Sequence, residues 1–268
     1  MEHEPQFLEI GQGSGRQGPK RRRIAYRFDA GADQTSPAIF WLSGFLSDMA
    51  STKVSALSTW AKARGHAMLC FDYSGHGVSG GDILQASIGD WLEEATTMLA
   101  LLKGRRVVLV GSSMGGWIGL LLARALAKAG DKRLGGLVLI APAWDMTEKL
   151  MWEKMGETTR AIVETEGVFY APSDYDDPYP LTKTLIEEGR NHLLAGGHIE
   201  VGAPVRILQG MRDADVPWQH ALALVDLIEG DDVEITLVKD GDHRLSGPED
   251  LQRLTRTVGA LIEAPSPS

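Results

Sequence analysis

The chain has 268 residues, of which 27 are lysine or arginine and 36 are aspartate or glutamate, so its formal net charge is −9. This acidic balance argues against a protein that binds nucleic acid non-specifically. The hydrophobic share of 43% can fill the core of one large domain, and we predict a single domain over residues 1–268. No apolar run reaches the roughly 20 residues of a membrane-spanning helix, so no membrane span is predicted.

Cysteine content bears on the compartment. Cys70 is the only cysteine in the chain, so no disulfide can form within it, which is typical of a reducing compartment. The first residues show neither the basic nor the apolar region of a secretory signal. Together these features predict a cytoplasmic protein.

Strands and helices alternate along most of the chain. The strands are short and continuously apolar, as in Ala38–Leu42, which is typical of a parallel sheet covered by helices on both faces. We therefore predict an α/β fold with a mostly parallel central sheet. In chain order the predicted elements are strands 7–10, 22–28 and 38–42, helix 53–64, strand 67–71, helix 87–102, strand 105–110, helix 117–129, strand 134–140, strand 205–209, helix 218–227, strand 233–238 and helix 248–262.

The alternation stops between residues 143 and 203. Helical, amphipathic spacing over 145–164 and again over 181–194 predicts a short insertion that packs over the carboxyl edge of the sheet as a lid. Large apolar side chains at helical spacing either line a pocket or form the packing face of the lid, and both interpretations stay open. The residues concerned, and the candidate substrate-binding set, are Trp144, Met151, Trp152 and Met155.

One short motif lies between a predicted strand and a predicted helix. Residues 111–115 read Gly-Ser-Ser-Met-Gly, the G-x-S-x-G pattern of a nucleophile elbow. Such a turn needs small neighbours, which Gly111 and Gly115 supply. Ser113 is therefore the candidate nucleophile, although a lone G-x-S-x-G also occurs by chance and needs support from the rest of the chain.

A serine nucleophile needs a base and an acid that orients the base. In a parallel α/β sheet these partners follow the carboxyl ends of strands. His243 lies in the short segment 240–244 that follows the last predicted strand and is the candidate base. Asp213 follows the strand before it and is the candidate acid; Asp215 is the rival, but the D-x-x-V-P pattern favours Asp213. Asp72 also follows a strand, and we interpret it as a residue that binds its own loop.

A tetrahedral intermediate also needs two backbone N–H donors. One is expected from Met114, the residue after the serine. The other is expected from Phe45, in the glycine-containing loop after the strand 38–42. Core packing of the Phe45 ring is compatible with this assignment, because only its backbone would be used.

With these residues in place, the chain resembles a known family over nearly its whole length. It is similar to α/β-hydrolase serine esterases, and within them to the small acyl-protein thioesterase and acyl-glucuronide esterase group known from mitochondria, with its bacterial relatives. The segments that carry the resemblance are 71–79, 111–116, 210–217 and 241–246.

The resemblance implies the α/β-hydrolase fold, a triad of Ser113, Asp213 and His243, and hydrolysis of an ester or thioester without a cofactor or metal. The chain departs from many relatives by carrying Ser43 and Gln209 at two positions where those relatives have histidine. Neither departure removes an expected catalytic atom.

The leading hypothesis is a serine hydrolase for a carboxylic ester or thioester with a hydrophobic acyl group. A peptidase or lactonase with the same triad, and a non-catalytic hydrolase fold that binds a ligand, are the alternatives. The expected partners are a small-molecule ester, an acyl-thioester or an acylated protein, and the expected state is a monomer or small homo-oligomer.

Overall fold

The computed structural model describes residues 4–11, 21–172 and 178–264. Its strands are β1 (Gln6–Ile10), β2 (Arg22–Asp29), β3 (Ala38–Leu42), β4 (Met68–Phe71), β5 (Val107–Ser112), β6 (Leu134–Ile140), β7 (Val168–Ala171), β8 (Tyr179–Thr182), β9 (Ile199–Glu200), β10 (Val205–Gly210), β11 (Ile228–Glu229) and β12 (Val233–Val238). Its α-helices are α1 (Thr52–Ala63), α2 (Ile88–Leu99), α3 (Met114–Lys128), α4 (Glu157–Glu166), α5 (Lys183–Gly189), α6 (Trp218–Leu227) and α7 (Pro248–Glu263).

Eight strands form the central sheet, in the order β1-β2-β4-β3-β5-β6-β10-β12. The first two pairings, β1 with β2 and β2 with β4, are antiparallel. The remaining pairings are parallel. The prediction of a mostly parallel sheet is confirmed, and β5 lies near its centre. The carboxyl ends of β5, β10 and β12 therefore lie at the same edge of the sheet.

Helices bury both faces of the sheet, and β3 shows why its sequence is apolar throughout. Phe40 and Leu42 belong to one hydrophobic cluster, whereas Ile39 and Trp41 belong to a second cluster. Successive side chains of a strand point to opposite faces, so a strand buried on both sides has no polar position. All five residues of β3 are buried.

The segment 143–203 differs from its predicted form. In place of one helix over 145–164, the chain forms a π-helix (Met146–Met151), a 3₁₀ turn (Trp152–Lys154) and α4. In place of a helix over 181–194, it forms the antiparallel hairpin β7–β8, the short α5 and a 3₁₀ turn (Arg190–His192). Local helical spacing could not show where the helical period changes, because contacts with the rest of the fold decide that.

One buried carboxylate joins the two ends of this segment. Asp145 accepts hydrogen bonds from the backbone N–H of Leu194 at 2.7 Å and of Ala195 at 2.8 Å. Burial raises the pKa of the Asp145 carboxyl. The single domain and the lid role of residues 143–203 stay predictions.

Over the ranges given above, no helix has both the length and the apolar character needed to cross a membrane.

Candidate active site

Ser113 lies in a tight turn between β5 and α3. Its φ is 55°, a left-handed conformation that non-glycine residues rarely adopt and that is often found at functional sites. A Cβ atom at Gly111 would lie 2.3 Å from the carbonyl oxygen of Gly115, and one at Gly115 would lie 2.1 Å from that of Leu42. Both glycines are therefore required by close backbone contacts around the serine.

Backbone hydrogen bonds hold this turn in place. The N–H of Ser113 donates to the carbonyl oxygen of Ile140 at 2.8 Å. The carbonyl oxygen of Ser113 accepts from Gly116 at 2.9 Å and from Ala143 at 3.1 Å. The turn is thus fastened to β6 and to the loop after it, which leaves the Ser113 side chain at the edge of the sheet.

His243 bridges the serine and a carboxylate. Its Nε2 lies 3.1 Å from Ser113 Oγ, and its Nδ1 lies 2.8 Å from Asp213 Oδ2. The Asp213 side chain has no exposed surface, whereas that of His243 is 20% exposed. The structure therefore brings together the three side chains that the sequence singles out from three separate strand ends.

The loop after β10 decides which aspartate faces His243. Asp213 Oδ1 accepts hydrogen bonds from the backbone N–H groups of Asp215 at 2.9 Å and of Val216 at 2.8 Å. The loop folds around the Asp213 carboxylate in this way. Asp215 is exposed on the outside of the loop and lines the neighbouring cavity.

Four other histidines, His76, His220, His192 and His66, have structural partners. His76 Nδ1 contacts the Ser74 carbonyl oxygen at 3.1 Å, and burial lowers the pKa of His76 to about 4. His220 stacks on Trp144 and contacts its carbonyl oxygen at 2.9 Å; burial lowers the pKa of His220 to about 4. His192 contacts Glu188 at 2.7 Å, and His66 contacts Ser36 at 3.2 Å.

Asp72 and Cys70 are buried in the sheet and its loops. Asp72 accepts from the N–H groups of Met49 at 2.7 Å and Val78 at 3.0 Å, so it ties two loops together, including its own as expected. Burial raises the pKa of the Cys70 thiol to about 12, which makes it a poor nucleophile.

The two predicted oxyanion donors belong to segments that lie next to the serine. Met114 is the first residue of α3, and the N–H groups of a helical first turn have no partner within the helix. The loop that holds Phe45 passes close to the nucleophile, because a Cβ atom at Gly44 would lie 3.3 Å from Ser113 Cβ. The Phe45 ring packs against Trp91, His76 and Tyr179.

A cavity of about 500 Å³ opens beside Ser113 and His243. Its apolar wall comes from the β3–α1 loop, from the π-helix and from the hairpin β7–β8. Its polar wall contains the first residues of α1 and the residues that follow His243. The residues that line it include Phe45, Leu150, Met151, Tyr179, Leu181 and Asp215.

Of the four predicted substrate-binding residues, the structure places only Met151 in the lining of this cavity. The placement expected for the other three needs correction. The Trp144 side chain is buried, with its Nε1 donating to the His220 carbonyl oxygen at 2.9 Å. The Trp152 ring lies beneath the guanidinium groups of Arg160 and Arg190. A π-helix followed by a 3₁₀ turn rotates Trp152 and Met155 away from the face that a regular α-helix would give them.

Sequence reasoning missed several residues of this region. Gln209 appears only as a departure from many relatives, yet it is fully buried and contacts Asp213. Leu150 and Leu181 line the cavity, and no spacing rule selects them. Tyr179 stands between two prolines, which hide the strand in which it lies.

No cofactor or metal is predicted for this chain. Among the described residues, Asp213, Asp215 and His243 have ligand atoms within 4.8 Å of one another and so could approach a single ion. His243 Nδ1 and Asp213 Oδ2 are already hydrogen-bonded to each other. A metal bound through these two atoms would have to break the contact between them.

Comparison with known proteins identifies the family. A family model described as "Serine aminopeptidase, S33" matches residues 34–175, a range that contains Ser113 but neither Asp213 nor His243. The palmitoyl-protein thioesterase ABHD10, mitochondrial, of Bos taurus is 34% identical over 232 residues, which cover 85% of this chain and 74% of that protein.

Two solved structures are similar over almost the whole chain. A putative hydrolase from Agrobacterium vitis superposes with a TM-score of 0.91 at 42% identity, covering 97% of this chain and 100% of that one. Alpha/beta hydrolase domain-containing protein 10 from mouse superposes with a TM-score of 0.82 at 32% identity, covering 97% and 99%.

The names of these relatives contradict the predicted cytoplasmic location. The ABHD10 proteins of Bos taurus, Pongo abelii and Homo sapiens are all named mitochondrial, so the prediction of a cytoplasmic protein is wrong. A lone cysteine shows only that no disulfide forms within the chain, and this does not separate one compartment from another.

The fold, the matching family model and the extent of the similarity to ABHD10 agree with the resemblance seen in the sequence. The chain belongs to the α/β-hydrolase family, in the esterase and thioesterase group that includes ABHD10.

Proposed function

We propose that this protein is a serine hydrolase that cleaves a carboxylic ester or thioester of an apolar acyl group through an acyl-serine intermediate. The observation that carries the proposal is the continuous contact from Ser113 Oγ through His243 to Asp213, at 3.1 and 2.8 Å. This contact opens on the cavity of about 500 Å³, so a bound acyl carbonyl would have direct access to the serine oxygen.

Proton positions follow from the contacts of His243. An ionised Asp213 carboxylate can only accept a hydrogen bond, so the Nδ1 atom that faces it carries the proton in the neutral imidazole. The Nε2 atom is then a free acceptor and faces Ser113 Oγ. His243 is therefore in the tautomer needed to take the serine proton as a general base.

The chemical steps follow from this arrangement. Ser113 Oγ attacks the acyl carbon while its proton passes to His243 Nε2. The oxyanion accepts hydrogen bonds from the backbone N–H groups of Phe45 and Met114. His243 then gives the proton to the leaving alcohol or thiol, and the acyl group remains on Ser113. Water, activated by His243, releases the acid in the reverse sequence.

Two observations favour an apolar acyl group. Phe45, Leu150, Met151 and Leu181 contribute to one wall of the cavity beside Ser113. The relatives are named palmitoyl-protein thioesterases, and the substrate proposed here is accordingly a long-chain acyl ester or thioester, small or attached to a protein. A monomer or small homo-oligomer stays the prediction for the assembly.

The name of the matching family model, a serine aminopeptidase, supports a second candidate function with the same triad. A peptidase would cleave an amide, whose leaving amine must be protonated by His243. Matched substrates that share one acyl group and differ only in an ester, thioester or anilide bond separate the candidates. We expect the ester and thioester to be cleaved, and faster cleavage of the anilide would favour the peptidase instead.

A fluorophosphonate probe tests the nucleophile. We expect the parent protein to be labelled and Ser113→Ala to be neither labelled nor active. Ser112→Ala is the matched control, because Ser112 is the adjacent serine and also lines the cavity; this variant should still be labelled. Equal labelling of the parent and Ser113→Ala would place the reactive nucleophile at another residue, and no labelling of the parent would favour a ligand-binding protein. Either outcome would contradict the mechanism.

A further inference from the structure

Gln209 lies behind the proposed acid, at the end of β10. We propose that Gln209 is a positioning residue, whose side-chain amide holds Asp213 Oδ2 in the orientation that receives His243 Nδ1. This inference rests on the proposed function, since it assigns a role within that triad. It concerns a residue that would touch neither the substrate nor the serine.

The contacts of Gln209 determine which end of its amide faces the acid. One amide atom lies 2.9 Å from the Gly210 carbonyl oxygen, 3.1 Å from Asp213 Oδ2 and 3.0 Å from the Val216 carbonyl oxygen. All three partners can only accept hydrogen bonds when Asp213 is ionised. The atom that faces them is therefore the nitrogen, Nε2, whose two hydrogens are shared among the three acceptors, and Gln209 is a donor to Asp213.

With this bond, the Asp213 carboxylate has four partners. Oδ1 accepts from the N–H groups of Asp215 and Val216, and Oδ2 accepts from Gln209 and His243. The two backbone donors hold one oxygen, and Gln209 holds the other. Without Gln209, His243 would be the remaining partner of Oδ2. Nothing would then hold Oδ2 in place when the imidazole moves, and the carboxylate could turn with it.

The burial of Gln209 indicates that its amide nitrogen, and not its amide oxygen, has the functional contact. The residue has no exposed surface. Its Oε1 atom is buried and has no hydrogen-bond partner among the residues that the structure describes. An unpaired buried carbonyl oxygen is unfavourable, and an apolar side chain of similar size would avoid it. Packing alone therefore does not account for a glutamine here.

The same amide joins the two ends of the acid loop. It contacts the Gly210 carbonyl oxygen at the start of the loop and the Val216 carbonyl oxygen near its end. Asp213 lies between these two points. A substitution at position 209 should therefore change the orientation of the Asp213 carboxylate. It should leave the apolar wall of the cavity unchanged, because that wall is built from other segments.

The first experiment measures kcat and KM for Gln209→Met, which keeps the length of the side chain but lacks the donor. We expect kcat to fall about 10- to 100-fold with KM changed less than twofold, because the acid would be misplaced while the acyl pocket is intact. The resonance of the His243 Nδ1 proton in the downfield ¹H NMR spectrum should weaken or shift. Gln219→Met, at an exposed glutamine on α6, is the control and should leave both constants unchanged.

A double-mutant cycle separates positioning from a merely structural role. In an Asp213→Asn background there is no carboxylate to position, so adding Gln209→Met should lower the residual kcat less than twofold. If Gln209→Met lowers kcat by the same factor in both backgrounds, the positioning role is wrong. Gln209→Asn, which keeps an amide but is one methylene shorter, should resemble Gln209→Met and decides the question if the methionine variant does not fold.

The outcomes separate this inference from the proposed function. Loss of hydrolysis in Ser113→Ala together with full kcat in both Gln209 variants would overturn the role of Gln209 and leave the serine mechanism standing. Hydrolysis that survives Ser113→Ala would overturn the proposed function, and the role of Gln209 with it.

Discussion

The Phe45 ring is stacked on the Tyr179 ring, with the two centroids 5.9 Å apart and the planes inclined by 20°. Phe45 belongs to the loop that runs beside Ser113, whereas Tyr179 belongs to the hairpin β7–β8 of the segment 143–203. One aromatic contact thus joins the proposed oxyanion loop to the predicted lid. Both residues also line the cavity, so the contact lies where an acyl chain would bind.

Removal of this contact should slow the reaction. We expect Tyr179→Ala to lower kcat/KM by about three- to tenfold, because an aromatic pair contributes roughly 0.5–1.5 kcal/mol and its loss frees the loop that carries the Phe45 N–H. Steady-state kinetics on a long-chain ester measures the effect. Tyr179→Phe keeps the ring and should retain at least half of the parent activity; equal losses in both variants would show that the hydroxyl, and not the stack, matters.

The assignment of the acid predicts a large difference between two neighbouring aspartates. Asp213→Asn should lower kcat by about 10⁴-fold, the loss known when a triad acid is replaced by its amide. Asp215→Asn should lower it less than about tenfold, because the hydrogen bond that joins Asp215 to Asp213 comes from the Asp215 backbone N–H, which the substitution keeps. A greater loss in Asp215→Asn than in Asp213→Asn would exchange the two roles.

The turn around Ser113 should not tolerate a side chain at its flanking glycines. Gly115→Ala places a methyl group 2.1 Å from the Leu42 carbonyl oxygen, so the start of helix α3 and the end of strand β3 would have to separate. We expect the free energy of unfolding in urea to fall by about 3 kcal/mol or more. The control is Gly197→Ala, where nothing lies within 4 Å and the change should stay within about 1 kcal/mol. Parent-like stability in Gly115→Ala would contradict the packing described for this turn.

Two methionines of the segment 143–203 should differ in their influence on chain length. Met151 lines the cavity and Met155 does not. Met151→Trp should lower kcat/KM for long acyl chains roughly tenfold relative to short ones. The larger side chain would take up space in the pocket, where each methylene group of a substrate is worth about 1–3 kcal/mol of transition-state binding. Met155→Trp should leave the ratio unchanged. A series of p-nitrophenyl esters of increasing length gives the measurement. If the long-to-short ratio of kcat/KM changed in Met155→Trp alone, the acyl chain would bind beside Met155 and not in this cavity.

His220 should make the protein sensitive to acid. Burial lowers the pKa of His220 from the ordinary 6.5 to about 4, so between these values the folded state binds fewer protons than the unfolded state. The free energy of unfolding then falls as pH falls from about 6.5 to about 4. His220→Gln keeps a donor for the Trp144 carbonyl oxygen and removes the titration.

Urea unfolding at pH 7.5 and at pH 4.5 checks this prediction. The parent should lose on the order of 2 kcal/mol more than His220→Gln over that interval. His76, whose pKa is also about 4 because of burial, is present in both proteins, so its contribution cancels in the comparison. Equal losses in the two proteins would mean that His220 is not held neutral by the fold.

Several features of the fold and the site were determined by the sequence alone. Continuously apolar runs identify the buried parallel strands, and residues that follow such strands meet at one edge of the sheet. This is why Ser113, Asp213 and His243 could be placed together from sequence, although 130 residues separate the first from the last. The need for glycine at positions 111 and 115 could also be predicted from sequence, because a tight strand-to-helix turn leaves no room for a side chain on either side of the serine.

The tertiary structure decided the rest, because the deciding contacts come from distant parts of the chain. The D-x-x-V-P pattern favours Asp213 over Asp215, but it is the fold of their loop that turns the Asp213 carboxylate toward His243. Met151 lines the cavity while Trp152 does not, because the helical period changes between them. The roles of Gln209 and Tyr179 depend on Asp213 and Phe45, residues that local periodicity cannot bring into contact.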